Sequence, residues 1–360
     1  MLCYNLLEID MLLRGRFMKT VFVGMSGGVD SSVAALILKQ QGYHVEGITL
    51  RLKPENLADK DIEDAQRTAD ALGIKLHVLD LRDYFKEKVM DYFSHEYLRG
   101  ATPNPCVVCN RFIKFGAMMD YALKNGADYI ATGHYAQIKR ENGRTYLLHT
   151  NSKKDQSYFL CMLTQEQLSH VIFPLCSMQK DDIRAIAAQN NIPVAQKKDS
   201  QEVCFIPDND YVSFIKKQGF ADMGEGDFVN KDGEVIGRHK GVMNYTVGQR
   251  KGLGAFGKPM FVTKLDILNN RIFLGENGEQ YLKSFYADTI NWCSGEIPTQ
   301  PFTAQVKIRF RAAPAEARVT PQGDEFLVEF DEPQRSVTPG QFAAFYSGDV
   351  VLGGAIIRTK

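Results

Sequence analysis

The chain has 360 residues, 44% of them hydrophobic, with 43 Lys and Arg balanced by 43 Asp and Glu. The length allows more than one core, and zero formal charge gives no global basic signal for nucleic acid while leaving room for a local basic face. No run of about eighteen apolar residues predicts a membrane span, and seven cysteines in so long a chain suggest a cytoplasmic protein with a few working thiols, not a disulfide scaffold.

Residues 1–17 are apolar and weakly basic and lack a small-residue cleavage site, so they read as an upstream extension, less readily as a signal peptide. Met18-Lys19-Thr20 reads as the natural start. Val21–Val23 is then a short buried strand, and Gly24, Gly27 and Gly28 form a turn. Ser31 and Ser32 mark the start of a helix in which Val33, Leu36 and Ile37 recur at helical spacing, with Gly42 as its stop. The first amides of such a helix lack internal partners and its dipole favours an anion, so the turn is a candidate phosphate cradle. It is not a Walker loop, which ends in Gly-Lys-Ser/Thr, and Gly24-Met25-Ser26-Gly27-Gly28 breaks the dinucleotide-binding spacing.

Strands at Val45–Leu50, Lys75–Leu81 and Asp128–Ala131 alternate with helices at Asp61–Leu72, Tyr84–Tyr97 and Arg111–Lys124. The alternation predicts an α/β fold with a parallel sheet covered on both faces. Gly24, Leu50 and Thr132-Gly133-His134 fall at carboxyl ends of strands, where such sheets bind ligands. Glu63, Asp64 and Asp70 are assigned to an exposed helix face, and His77 and His149 to structural roles in strands. Helices are predicted at Leu168–Ile172 and Lys180–Asn190. After about Tyr211 glycine becomes frequent, and a hairpin over Val262–Leu274 turns at Asn269-Asn270. Short strands at Val306–Phe310, Ala315–Val319, Phe326–Phe330, Ala343–Tyr346 and Val350–Ile357 predict a C-terminal β-barrel or sandwich. The domains expected are therefore 18–210, a small mixed one over 211–282, and 283–360. Lys307, Arg309 and Arg311 alternate and are expected to share one strand face, a strip suited to tracking phosphates.

The stretch "TPNPCVVCNRFIKFG", Thr102–Gly116, supplies a second clue. Cys106 and Cys109 precede the helix expected at Arg111, and a thiol near a helix start with Arg111 and Lys114 close by ionises more readily. No second C-x-x-C offers a zinc partner. A local redox pair, or a nucleophile working with a distant partner such as Cys204 in "DSQEVCFIP", are the other two readings. Cys161, Cys176, Cys293 and Cys3 have undistinguished surroundings and read as inert small hydrophobes.

"GMSGGVDSS", "TPNPCVVCN", "ATGHYA", "KDQSYFL", "DSQEVCFI" and "NYTVGQRKGLG" occur in that order, and together they closely resemble the MnmA/TrmU family, the tRNA-specific 2-thiouridylases. The resemblance covers nearly all of Met18–Lys360. It implies an N-terminal ATP-pyrophosphatase (PP-loop) domain in which Gly24, Met25, Ser26, Gly27, Gly28, Val29, Asp30 and Ser31 hold ATP phosphates, with Leu50 and Gly133 at the adenosine. ATP is then a consumed substrate accompanied by Mg2+, and no permanently bound cofactor or dedicated metal site is expected. The resemblance further implies Cys204 as the persulfide carrier and Cys109 as the nucleophile that attacks it, with an alternate Cys109–Cys204 disulfide.

Asn104, Pro105 and Cys106 match the segment around the target base. Many members carry Asp at the position of Cys106, proposed there as a general acid or base, and a cysteine could take a proton only as thiolate. His134, Lys154, Asp155, Gln156, Arg309, Phe310 and Gln341 match tRNA-contact positions, and the middle domain is implied to meet tRNA through the loop of Arg250 and Lys251. The implied partners are the tRNAs for Lys, Glu and Gln and an upstream persulfide donor. A small-molecule ligase of the same ATP-pyrophosphatase group would explain the loop but not the two cysteines. A non-catalytic binding module would explain neither.

Overall fold

The computed structural model describes residues 18–53, 55–197, 203–206, 210–221 and 223–358, with the backbone alone over 55–59. The expectation for residues 1–17 lies outside them. Two compact units divide the chain. One comprises the segments ending at Phe85, Asn110–Leu160 and Gln165–Ser200. The other comprises Lys86–Cys109, Cys161–Thr164 and Gln201–Lys360.

The first unit holds strands β1 (Thr20–Gly24), β2 (His44–Arg51), β3 (Leu76–Asp80), β4 (Tyr129–Ala131), the hairpin β5 (Gln137–Glu141) and β6 (Arg144–Leu148), and β7 (Val171–Ile172). A parallel sheet runs β3-β2-β1-β4-β7, with Val21 in register with Val45 on one side and Tyr129 on the other. The order reverses at β1, so the crevice between the carboxyl ends of β1 and β4 is the position where a sheet of this kind takes a ligand. The helix Val29–Gln40 is buried on almost every face and packs with Leu175, Ile183 and Ala187 in the core of this unit.

Several local expectations need correction. The first helix begins at Val29, before Ser31, and the second begins at Glu55. Asp64 is not on an exposed face; it is 3% exposed. The helix predicted over Leu168–Ile172 is a helix at Gln165–Ser169 followed by β7, because β-branched Val171 and Ile172 extend the sheet beside Ile130 and Ala131. The helix predicted over Tyr84–Tyr97 is Arg82–Phe85, then a π-helical turn Lys86–Asp91, then Tyr92–Leu98. The helix predicted over Arg111–Lys124 is a π-helical segment Asn110–Ala117 and a helix Met118–Lys124. Gln167 sustains the wider turn by donating to the carbonyls of Arg111 and Phe115 at 2.9 and 2.8 Å. His77 is structural as expected: it stacks on Phe22 and lies 2.5 Å from Glu46.

In the second unit β8 (Gly226–Val229), β9 (Val235–His239), β10 (Phe261–Asp266) and β11 (Arg271–Gly275) form a mixed sheet in the order β10-β11-β8-β9. The expected hairpin is β10–β11, and Asn270 takes the left-handed conformation at its turn with φ 50°. The last strands are β12 (Tyr281–Trp292), β13 (Phe302–Lys307), β14 (Ala315–Gln322), β15 (Glu325–Arg335), β16 (Phe342–Ser347) and β17 (Val350–Arg358). They pair antiparallel as β12-β15-β14-β13-β16-β17, and β12 also pairs β17, closing a six-stranded barrel. Its interior is filled by Phe285, Trp292, Val306, Phe326, Phe330 and Phe345.

The parallel-sheet α/β domain, the small mixed domain and the C-terminal barrel are those the sequence predicts. The strand β12 was not predicted. β13 ends at Lys307, so Arg309 and Arg311 lie past the strand and the expected alternating strip does not form. Among the described residues no helix is long and apolar enough to cross a membrane.

Candidate functional site

The loop after β1 is built to leave backbone amides available. Gly28 is the residue before the helix Val29–Gln40, and no side chain caps that end. The serines shape the turn instead. The Ser26 amide donates to Ser31 Oγ at 3.2 Å, and the hydroxyls of Ser31 and Ser32 both donate to the Gly28 carbonyl, at 3.1 and 2.9 Å. Gly27 needs its φ of +66°, and a Cβ there would overlap the Asp61 carbonyl oxygen. Met25 is buried and its amide donates to Ile48 at 2.7 Å, fixing the loop to β2, whose partly buried Leu50 follows. Gly133, after β4, meets the other side of the loop. A Cβ there would stand 2.8 Å from the carbonyl carbon of Asp30 and the nitrogen of Ser31.

Charged residues far away in sequence complete this crevice, and sequence reasoning missed them. Asp30 Oδ1 accepts from the Tyr135 hydroxyl at 2.9 Å and from Lys180 Nζ at 2.6 Å. Lys197 Nζ donates to Asp61 at 3.0 Å and to Asp64 at 2.7 Å, beside Gly27. Burial works against ionisation of Asp64, but the hydrogen bonds from Lys197 and Arg67 outweigh it and hold the carboxyl below its ordinary range. Burial likewise works to lower the Lys197 ammonium, and its bonds to Asp64 and Asp61 raise it. A lysine spaced at random from the loop carries no sequence signal of its own, so only the tertiary structure brings these groups together.

The remaining residues assigned in this unit have structural ties. His134 is buried among Phe115 and Phe173, with Nδ1 2.6 Å from the Thr132 hydroxyl. Desolvation, with Lys114 adding a smaller push, holds its imidazole well below the usual histidine range, so it is neutral at pH 7. Lys154-Asp155-Gln156 form a braced turn. Asp155 accepts from the Thr150 amide at 2.9 Å and the Ser157 hydroxyl at 2.8 Å, and Gln156 Oε1 accepts from the Tyr135 amide at 3.1 Å.

In the second unit the cysteine segment begins with a correction. Pro105 opens a helical turn that runs through Cys109 straight into the π-helical segment Asn110–Ala117, so the helical run starts before the thiols and not at Arg111. Cys106 in its first turn is exposed and Cys109 is buried, at 9%. The helix-start argument therefore does not reach Cys109. Half-buried Asn104 and buried Pro105 lead into it. Cys204 is exposed on a turn closed by Ile206 N–H to Val203 O at 3.0 Å, and its neighbour Phe205 packs edge-on against Phe93 at 5.5 Å. Most of the "DSQEV" stretch before it lies outside the described residues. Phe93 sits on the helix Tyr92–Leu98, and the chain runs from that helix through residues 99–104 to the helix Pro105–Cys109.

Cys293 is fully buried, and burial pushes its thiol up to about 12, in keeping with an inert role. Arg309 donates to the Val247 carbonyl at 3.0 Å and to the Thr338 hydroxyl. Lys307 lies over the half-buried Phe310 ring at 5.6 Å. Gln341 Nε2 donates to the Thr102 carbonyl at 2.7 Å.

Comparison with known proteins bears on these features directly. Three family models match in order: "tRNA methyl transferase HUP domain" over residues 19–208, "tRNA methyl transferase PRC-barrel domain" over 213–276 and "Aminomethyltransferase beta-barrel domain" over 282–357. The tRNA-specific 2-thiouridylase MnmA of Clostridium acetobutylicum is 46% identical over 353 residues, 94% of this chain and 99% of that protein. The chain belongs to the MnmA family of tRNA-specific 2-thiouridylases. The enzyme of the same name from Clostridioides difficile is 46% identical, covering 94% of this chain and 98% of its own. That from Desulfitobacterium hafniense is 47% identical, covering 95% and 98%. The family inferred from six ordered motifs is thus the family found. Its members named here are tRNA sulfurtransferases, and each matches 94–95% of this chain.

Proposed function

We propose that this enzyme replaces the 2-oxygen of the wobble uridine of tRNA with sulfur at the expense of ATP, giving 2-thiouridine, AMP and pyrophosphate. The observation that carries the reading is the uncapped, serine-braced loop Gly24–Ser31, in a chain that is 46% identical to a tRNA-specific 2-thiouridylase over 94% of its length. The loop amides and Lys180 take the phosphates of ATP, Leu50 and Gly133 bound the adenosine, and Asp30 is the carboxylate offered to the Mg2+ that arrives with the substrate.

The uridine O2 attacks the α-phosphorus, pyrophosphate leaves, and the oxygen becomes part of an adenylate that departs as AMP. The Cys109 thiolate attacks the Cys204 sulfur of a Cys204 persulfide and expels hydrosulfide. The two thiols are left as a disulfide, and the released sulfur adds at C2 of the activated base. In the variant of this scheme, the persulfide sulfur itself attacks C2 and Cys109 then releases it. Phe205, beside Cys204, packs on the helix Tyr92–Leu98 from which the chain passes to Pro105–Cys109, and this supports a partnership between the two cysteines. The tRNA is proposed to contact the braced Lys154–Gln156 turn and, in the second unit, Asn104, Cys106, Phe310 and the exposed Arg250 and Lys251. Its set is that for Lys, Glu and Gln, and a persulfide-bearing protein supplies the sulfur.

The test is single-turnover thiolation of a wobble-uridine tRNA with ATP and a sulfide source. Cys109→Ser and Cys204→Ser are expected to lose sulfur transfer and to retain tRNA-dependent AMP formation, and Cys106→Ser reports the part played by that thiol. A wild-type enzyme that forms no AMP in response to tRNA would overturn the reading in favour of a small-molecule ligase.

A further inference from the structure

Gln341 stands at the turn before β16, and its side chain acts on a distant loop. Its carboxamide nitrogen donates to the Thr102 carbonyl at 2.7 Å, 239 positions away. The Thr102 amide donates back to the Pro339 carbonyl at 2.8 Å, and the Thr102 hydroxyl lies 3.2 Å from that of Thr246. Gly340, with φ +86°, lets the turn approach so closely that a Cβ would stand 2.8 Å from the Ala101 Cβ. The turn itself is held against β17 by Gly340 N–H to Ile357 O at 2.9 Å and Ile357 N–H to Gln341 O at 2.8 Å.

The backbone of Gln341 therefore already satisfies the barrel, and what its side chain restrains is the loop. Three residues beyond Thr102, Pro105 opens the helix that carries Cys106 and Cys109. Pro103 and Pro105 have fixed φ, so a restraint at Thr102 is transmitted with little slack. Arg309 ties the same frame from the other side, through the Val247 carbonyl and the Thr338 hydroxyl. A nucleophile must be held close to its attack geometry, and a shift of about 1 Å from a remote change can lower a rate about a hundredfold.

Resting on the reading of Cys109 as the nucleophile, we infer that Gln341 is a positioning residue: its bond to the Thr102 carbonyl holds the Cys109 helix in place for attack and keeps that thiol out of solvent. This differs from the direct tRNA contact that family resemblance assigns to the residue. The barrel then serves the chemistry from the protein side.

The experiment uses the full chain with Gln341→Ala and the near-isosteric Gln341→Glu, which cannot donate to a carbonyl at neutral pH. Two quantities are read: the rate at which iodoacetamide alkylates Cys109, followed by peptide mass, and kcat against KM for tRNA in thiolation. Both variants are expected to raise Cys109 alkylation about tenfold and lower kcat about tenfold, with the tRNA KM within about twofold of wild type. A raised KM with alkylation unchanged would make Gln341 an RNA contact only and overturn the inference. So would two variants indistinguishable from wild type. If the wild-type enzyme thiolates no tRNA, the proposed function fails, while the alkylation arm still decides whether Gln341 positions Cys109.

Discussion

Lys197→Met probes the support of the phosphate loop. Asp64 is 3% exposed and its carboxylate depends on Lys197 and Arg67. Removing one partner of a buried pair costs about 3–5 kcal/mol. Here the Lys197 side chain is 31% exposed and Arg67 stays on the same carboxylate, so solvent screening reduces the expected loss to about 2 kcal/mol. The sign of the pH dependence follows from Asp64. Its carboxyl is held low in the folded wild type, so its contribution is present above the unfolded value of about 3.9 and fades as pH falls through the folded one. In Lys197→Met that contribution is diminished, so the gap between variant and wild type should hold steady from pH 7 to about 5 and narrow as pH falls below about 4. Urea midpoints at a series of pH values measure this, and Asp64→Asn supplies the second arm. In the Asp64→Asn background Lys197→Met should cost little, because no buried charge is left to strand. An undiminished penalty there would refute the assignment of the loss to the buried pair. Because Gly27 rests on the Asp61–Asp64 turn, the same variant should also weaken ATP binding, read by equilibrium titration.

Gly27→Ala should abolish tRNA-dependent AMP formation with the rest of the fold intact by circular dichroism, since Cβ would meet the Asp61 carbonyl at a positive φ. His134 is held neutral by burial, with its folded value below the unfolded one of about 6.5. The unfolded chain therefore binds the extra proton first, and stability should fall below about pH 6.5 by at most about 1.4 kcal/mol per pH unit. His134→Asn should flatten that dependence in urea titrations. Iodoacetamide at pH 8 should label exposed Cys106 and Cys204 at once and reach Cys161 and Cys293 only in denaturant, as peptide masses would record. Cys293 labelling in the native state would contradict its burial.

Much of this protein is legible without its structure, because the signals are local. Val21–Val23 followed by glycines and a serine-rich helix start announces a strand, a turn and a helix within a dozen residues. Alternating strands and helices imply the parallel sheet, and the run of short strands after Thr303 implies the barrel. β12 escaped because its first four residues are exposed and a register shift with Thr289 at φ 52° breaks its alternation. The π-helical segment at Asn110–Ala117 escaped because Gln167, 52 and 56 positions away from the carbonyls it bonds, helps to hold it.

The chemistry of the loop and the pair of cysteines were properties of contiguous motifs, where neighbouring residues dictate one another's conformation. The charges around the loop were not. Lys180 reaches Asp30 across 150 positions and Lys197 reaches Asp61 across 136, and neither spacing has a period that a sequence could display. Burial of Asp64 and His134 and the grip of Gln341 on Thr102 were likewise decided by packing. Each depends on which distant surface the chain folds against, and a free energy of that kind exists only once the two surfaces meet.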